Sequence, residues 1–456
     1  MKIRSLLLTG LLGGLMLQAT EARAQSLEEA LAATYQNNPT LLAGRASLRA
    51  TDEAVPQALA NWRPNVEVTA SYGRTRVYNN TSTPEVQNRQ PADWGVSLTQ
   101  PLFRGGRTLA ATSSAENNVK AQRANLTSTE QTVLLDAISA YLNVYRDQAT
   151  VELNKSNERV LQRQLEATQD RFAVGEITRT DVHQAEARLA RATADRIQSE
   201  GNLEASRANY ENIIGLAPGA LEVVGVPDDL LPVSLEDSVK IALGSNPDLI
   251  NAEFTAKAAV DDADEVWGEL MPTLELNASA TRAHQSSSEV SRVDTLSATV
   301  DLTVPLYQQG DVYSRLREAR QTIAEARGDV DQGRRDAIEA ATASWQGLQS
   351  ARAQVEAIKS QIVASEVALE GVQREAAVGS RTVLDVLDAE QERLDANVSL
   401  VQAERDLVVA AYELLSAMGK LTAADLNLGV DLYDPYQHYD EVRDKWFGGR
   451  SSGQAE

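Results

Sequence analysis

The chain has 456 residues, 65 of them acidic and 43 basic, with three histidines, no cysteine and a formal net charge of −22. That length suits two or three ordinary domains or one elongated, duplicated one. The missing cysteine excludes disulfides, thiolate metal sites, a thiol nucleophile and acylation at an N-terminal cysteine, while the acidity argues against nucleic acid and leaves solubility or a cation-favouring aqueous passage as its use.

Lys2 and Arg4 precede the apolar run Leu6 to Leu17, and Ala22-Arg23-Ala24 offers an A-x-A cleavage site. Residues 1–24 are therefore expected to be a secretory signal, with the mature chain starting at Gln25. No other stretch approaches the ~20 apolar residues of a spanning helix. Ser26-Leu-Glu-Glu29 is a capping-box start, and Asn38-Pro39 opens a second helix with proline in its first turn. Both recur 208 residues later, as Ser234-Leu-Glu-Asp237 and Asn246-Pro247. Pro64 returns as Pro272, and Pro101-Leu102-Phe103 as Pro305-Leu306-Tyr307. The chain thus reads as a tandem duplication: repeat 1 over 25–215, a proline-bearing linker over 216–233, repeat 2 over 234–429 and a tail over 430–456.

After Pro64 the period becomes two. Val66, Val68, Ala70 and Tyr72 alternate with Glu67, Thr69 and Ser71, and Trp94, Val96 and Leu98 alternate with Gly95, Ser97 and Thr99. Repeat 2 does the same with Leu274 to Ala280 and with Leu296 to Val304. Strands are expected over about 65–76, 93–102, 273–283 and 294–304. Such strands fit an ordinary half-buried sheet or an outer-membrane barrel; the secretory signal, the repetition and the want of an apolar helix to cover them favour the barrel. Trp62, Trp94, Phe103, Trp267 and Tyr307 sit near strand ends, where an interfacial girdle would lie. Four strands close no barrel and lipid tolerates no open edge. The chain must assemble with copies of itself: two give eight strands, three give twelve, and the spacing does not choose.

The proline-free runs Leu102 to Ala217 and Leu306 to Asp434 read as long helical hairpins. Leu387, Leu394, Val401, Val408 and Leu415 form a seven-residue stripe, matched by Val182, Leu189, Leu203 and Tyr210 with Arg196 breaking it. The bends carry Ala173 to Glu186, AVGEITRTDVHQAE, and Ala377 to Glu390, AVGSRTVLDVLDAE, identical at eight of fourteen positions. Function is expected at these tips. Asp385 and Asp388 are three apart and share a helix face. In a monomer that is a solvated face; in a ring of subunits the pair converges on an axis, attracts cations and has its carboxylate pKa values raised by mutual repulsion. Repeat 1 keeps Asp181 but has Gln184 in the second place. Catalysis is not expected: His183, His284 and His438 have no metal-ligand spacing, and no glycine-rich phosphate loop occurs, Gly105-Gly106 merely starting a helix. No cofactor is implied. The tail, with Tyr433, Tyr436, Tyr439, Trp446 and Phe447, packs across the helices or stays unordered, and suggests no role.

Duplicated halves, strand pairs after Asn-Pro helices, Pro-Leu-Phe/Tyr before a long helix and VG-x-x-T-x-x-DVLDA at the bend together resemble the TolC family of outer-membrane export channels, over Ser26 to Asn427. The resemblance implies a mostly α protomer with a membrane β-barrel portion, assembled as a homotrimer with a twelve-stranded barrel in outer-membrane lipid and a periplasmic α-helical barrel. It implies export of small molecules, proteins or both, with a periplasmic adaptor (membrane fusion protein) and an inner-membrane ABC or RND-type transporter as partners. By position, Asp385 and Asp388 match the family's periplasmic constriction and cation filter. Arg381, Thr180 and Asp181 match its closed-state latch, and Gly175 and Gly379 its adaptor-contacting tips. The family's latch tyrosine is Ala376 here, so one closing contact is absent. The alternative is a periplasmic coiled-coil adaptor or scaffold without a pore, which leaves the four alternating strands idle.

Overall fold

The computed structural model describes residues 25–78 and 86–450; the expected secretory signal, part of the first strand-joining loop and the last six residues lie outside them. Repeat 1 holds α1 (Leu27–Asn37), α2 (Pro39–Asp52), α3 (Ala54–Ala60), β1 (Asn65–Tyr72), β2 (Thr75–Tyr78), β3 (Val86–Arg89), β4 (Ala92–Arg104), α4 (Arg107–Ala173) and α5 (Arg179–Ile214). Repeat 2 holds α6 (Leu235–Ser245), α7 (Pro247–Gly268), β5 (Thr273–His284), β6 (Arg292–Thr303), α8 (Asp311–Ala377) and α9 (Val383–Ala417), and a short α10 (Gln437–Val442) lies in the tail.

The Asn-Pro steps do more than start helices. Asn38 accepts from the amides of Thr40 and Leu41 at 2.9 and 3.4 Å, capping α2, while its amide group donates to the Ile213 carbonyl in the last turn of α5 at 2.9 Å. Asn246 repeats the device, capping α7 and donating to the Ala417 carbonyl of α9 at 3.3 Å. One carboxamide thereby satisfies the open amides of one helix and an open carbonyl of another, setting the positive end of one dipole against the negative end of the next.

Antiparallel pairing gives one four-stranded sheet in the order β1-β4-β5-β6, with β2-β3 a separate hairpin. The first strand stops at Tyr72, short of residue 76: at Gly73 the amide turns to the Pro91 carbonyl at 2.9 Å and the chain leaves for the hairpin. Register places Val66, Leu98, Ala278 and Ala298 in one row and Val68, Val96, Ala280 and Leu296 in the next. The opposite face carries Glu67, Ser97, Ser279 and Ser297, then Thr69, Gly95, Thr281 and Thr295. On it Ser279 meets Ser297 at 2.9 Å, and Asn277 joins Thr99 and Asp301 at 2.9 and 2.8 Å. β1 and β6 are exposed along their whole length, and among the described residues nothing pairs with their outer edges.

α4 and α8 have 67 residues each, hence about 100 Å at 1.5 Å per residue. The stripe of α9 is buried at Leu387, Leu394, Val408 and Leu415. Arg196, which interrupts the stripe of α5, is met by Glu158 of α4 at 2.7 Å and Glu200 at 2.8 Å. The main core lies midway along α4, where α1 and the last turns of α5 and α9 converge on Leu134, Ile138 and Tyr141. The Tyr141 hydroxyl lies 2.7 Å from the Gln25 carbonyl and accepts from the Glu222 amide at 2.9 Å, tying the start of the described chain to the linker. Between sheet and helices the two repeats meet backbone to backbone: a Cβ on Gly105 would stand 2.3 Å from the Gly268 carbonyl oxygen, so Gly105 does more than start a helix. Beside it Glu269 binds Arg315 and faces Arg107, linking the starts of α8 and α4.

The described part of the tail straps α2, α3 and α4. Tyr433 donates its amide to the Tyr35 hydroxyl at 3.0 Å, and Arg123 lies against the rings of Tyr436 and Tyr439 at 4.0 and 5.1 Å. His438 is buried 3.1 Å from Asp52, and Arg63 holds the Lys445 carbonyl at 2.7 Å.

Candidate functional site at the hairpin ends

Each hairpin turns by the same chemistry. Gly175 at φ +82° and Gly379 at φ +80° end α4 and α8 in the left-handed region, and a Cβ at either would meet nothing within 4 Å. Glycine is required there for backbone conformation, not for space. The next helices open with reciprocal caps. Thr178 accepts from the Asp181 amide at 3.3 Å while the Asp181 carboxylate takes the Thr178 amide at 2.9 Å; Thr382 and Asp385 do the same at 3.2 and 2.8 Å. The shared Thr and Asp of the two motifs are thus a capping box.

This changes the setting of the acidic pair. Asp385 is occupied by its cap, and the Thr382 amide and hydroxyl, with Arg381 adding to them, hold its carboxyl below the usual carboxylate range. The expected rise by mutual repulsion is opposed within the chain itself. Asp388 is exposed and hydrogen-bonded to Arg188 of α5, across from its own hairpin. Around that pair Leu161, Ala185, Ala192, Val383 and Leu387 bury one another, so the start of α9 packs on the α4–α5 hairpin. Just above, Glu390 is buried and accepts from Gln373 at 3.2 Å and Arg393 at 3.1 Å, fixing α9 to α8.

The expected latch residues are not brought together within one chain. Arg381 bonds Glu375 at 3.0 Å and stands 4.0 Å from Asp385, both in its own hairpin. Thr180 is exposed, Asp181 is spent on its cap, and among the described residues no bond joins either to Arg381. Near the tips the hairpins are instead tied by Arg188 and Asp388, a pair outside the expected latch. Its signal was available: the two residues flank Leu189 and Leu387 of the apolar stripes with opposite charge, as pairs beside a coiled-coil seam do.

The family model for "Outer membrane efflux protein" matches residues 17–216 and 239–420. The outer membrane efflux protein BepC of Brucella suis biovar 1 is 36% identical over 442 residues, covering 97% of this chain and 95% of that one. The outer membrane protein TolC of Vibrio cholerae is 26% identical over 411 residues, covering 88% and 92%. Among solved structures the Campylobacter jejuni CmeC outer membrane channel superposes with a TM-score of 0.78 at 15% identity, over 92% of this chain and 89% of that one. So low an identity speaks for the fold alone. Sequence match, relatives and fold agree, and a poreless periplasmic scaffold is set aside: the chain belongs to the outer membrane efflux protein family, the TolC-type channels of the outer membrane.

Proposed function

We propose that three copies close their sheets edge to edge into a twelve-stranded barrel whose polar face lines a pore, with the helical hairpins continuing it as a periplasmic tunnel. The observation that carries this is the sheet: apolar on one face, polar on the other, exposed along β1 and β6 and, among the described residues, unpaired at both edges. Such a sheet is unstable alone in water or lipid. In this reading the tips around Gly175 and Gly379 meet a periplasmic adaptor, and an inner-membrane ABC or RND-type transporter feeds the tunnel with small molecules or proteins.

The tips open like an iris. Asp385 and Asp388, repeated around the axis, form the cation filter of the closed state, and Arg381 with Thr180 and Asp181 of an adjacent copy forms the latch. Arg188–Asp388 holds each chain's two hairpins together while closed. Planar-bilayer recording tests this. Asp385→Asn with Asp388→Asn should lower cation preference and flatten the pH dependence of conductance, and Arg381→Gln should raise basal conductance. A protein that forms no pore, or a double variant with unchanged ion preference, contradicts the pore or the filter respectively.

A further inference from the structure

At the sheet end remote from the long helices the apolar face changes character. Beyond the row Val68, Val96, Ala280 and Leu296 come Ala70, Trp94, Arg282 and Asp294, then Tyr72, Ala92, His284 and Arg292. Grease gives way within one pleat to an aromatic and basic rim, in a chain whose net charge is −22. Arg282 grips Asp294 with two bonds, 2.6 and 3.0 Å, and lies 5.3 Å from the Trp94 ring. Arg292 reaches the same carboxylate at 2.8 Å. Two guanidiniums therefore share one carboxylate, and a positive charge is left over beside Ala280 and Leu296. Trp94, Ala280, Arg282, Asp294 and Leu296, with Thr281 and Thr295, line a notch of about 240 Å³, and Arg292 stands at its border through Asp294. Both arginines keep exposed surface, 41% for Arg282 and 56% for Arg292.

We infer that this notch binds the phosphate-bearing headgroup of an outer-leaflet lipid. The inference rests on the pore reading, which turns this rim out of the cell and this face toward lipid. Arg282 and Arg292 donate to the phosphate oxygens, guanidinium being suited to forked, charge-assisted bonds, and Trp94 and Leu296 lie along the first acyl carbons. A lipid fits better than free phosphate because the notch opens directly onto the apolar rows. Asp294 limits the affinity by holding part of both cations.

The test titrates the full-length protein, in uncharged detergent, with bisphosphorylated lipid A, counts bound lipid by native mass spectrometry and records conductance from the same preparations. Replacing the cluster by neutral isosteres (Arg282→Gln, Arg292→Gln, Asp294→Asn) should weaken binding about fivefold, and Asp294→Asn alone should strengthen it by about as much, at roughly one charge of attraction each. Inorganic phosphate should not compete. Equal binding by wild type and triple variant, or weaker binding by Asp294→Asn, would overturn the inference and leave the cluster as a cross-strand clamp. Competition by inorganic phosphate would overturn it in favour of a free-anion site. Conductance separates the two proposals: a triple variant with normal pores keeps the pore reading whatever the lipid result, and a protein without pores removes its basis.

Discussion

The sheet and the core midway along α4 are built on opposite terms. In the core, Leu134, Ile138 and Tyr141 are fully enclosed by α1 and the ends of α5 and α9, all from the same chain. In the sheet, Val68 is 76% and Leu296 86% exposed, and nothing among the described residues covers them. The helical region has a core of its own, whereas the sheet, in the proposed assembly, takes its stability from lipid on one face and from other copies at its edges. In that assembly a single chain is a helical body with an enclosed core of its own, joined to one third of a barrel.

Six substitutions break or sharpen that contrast. Tyr141→Ala removes a buried ring and the hydroxyl bridge to Gln25 and Glu222; it should destabilise the helical body by about 3–5 kcal/mol in denaturant titrations followed by circular dichroism. Val300→Arg, on the apolar face at 60% exposure, should cost about 2–4 kcal/mol for folding into vesicles yet leave the helical transition in place. Ser297→Arg, on the polar face, should cost little in the same assay. If both arginines were tolerated alike, the apolar face would not be a lipid face. Asn246→Ala loses a cap and the tie to Ala417, and should cost about 1 kcal/mol; Asn38→Ala should match it, because the two junctions are the same device. The smallest effect is at the neck. Arg315 first, then Arg107, holds the Glu269 carboxyl below its usual range. A depressed folded-state pKa gives stability that is present above the unfolded value, near 4.5, and lost as pH falls through the folded one. Acid unfolding should thus draw on up to about 1 kcal/mol from this cluster, and Glu269→Gln should abolish that part of the pH dependence.

What was legible in the sequence follows the range of the interactions involved. Alternation in the strands and the seven-residue stripes are local patterns, so the sheet faces and the seam of α9 could be read directly. So could the duplication, which repeats Asn-Pro and Pro-Leu-Phe/Tyr in order. The second half of each asparagine's work was not legible, because Ile213 and Ala417 are remote from Asn38 and Asn246 in the chain. Nor was the approach of Gly105 to Gly268, a contact of backbone with backbone that leaves no side-chain pattern. The tail defeated the reading because its anchors, Tyr35, Asp52, Arg63 and Arg123, are ordinary polar or aromatic residues scattered through three helices and the turn before β1. At the tips, Asp385 was visible as an acid but not as a cap whose carboxylate is already engaged.

The duplication supplies the sharpest test of barrel closure. Inside the chain β4 pairs with β5, with Leu98 opposite Ala278. Carrying that pairing over by the repeat sets Leu302 of β6 opposite Ala70 of β1 in the next copy. Within one chain those strands are the two outer edges, about 14 Å apart at three strand spacings, too far for a disulfide. With no native cysteine to interfere, the pair Ala70→Cys and Leu302→Cys should, on oxidation in membranes, give covalent dimers and a ladder ending at the circular trimer. A product that stays monomeric, or a ladder running past three, would contradict closure by three copies.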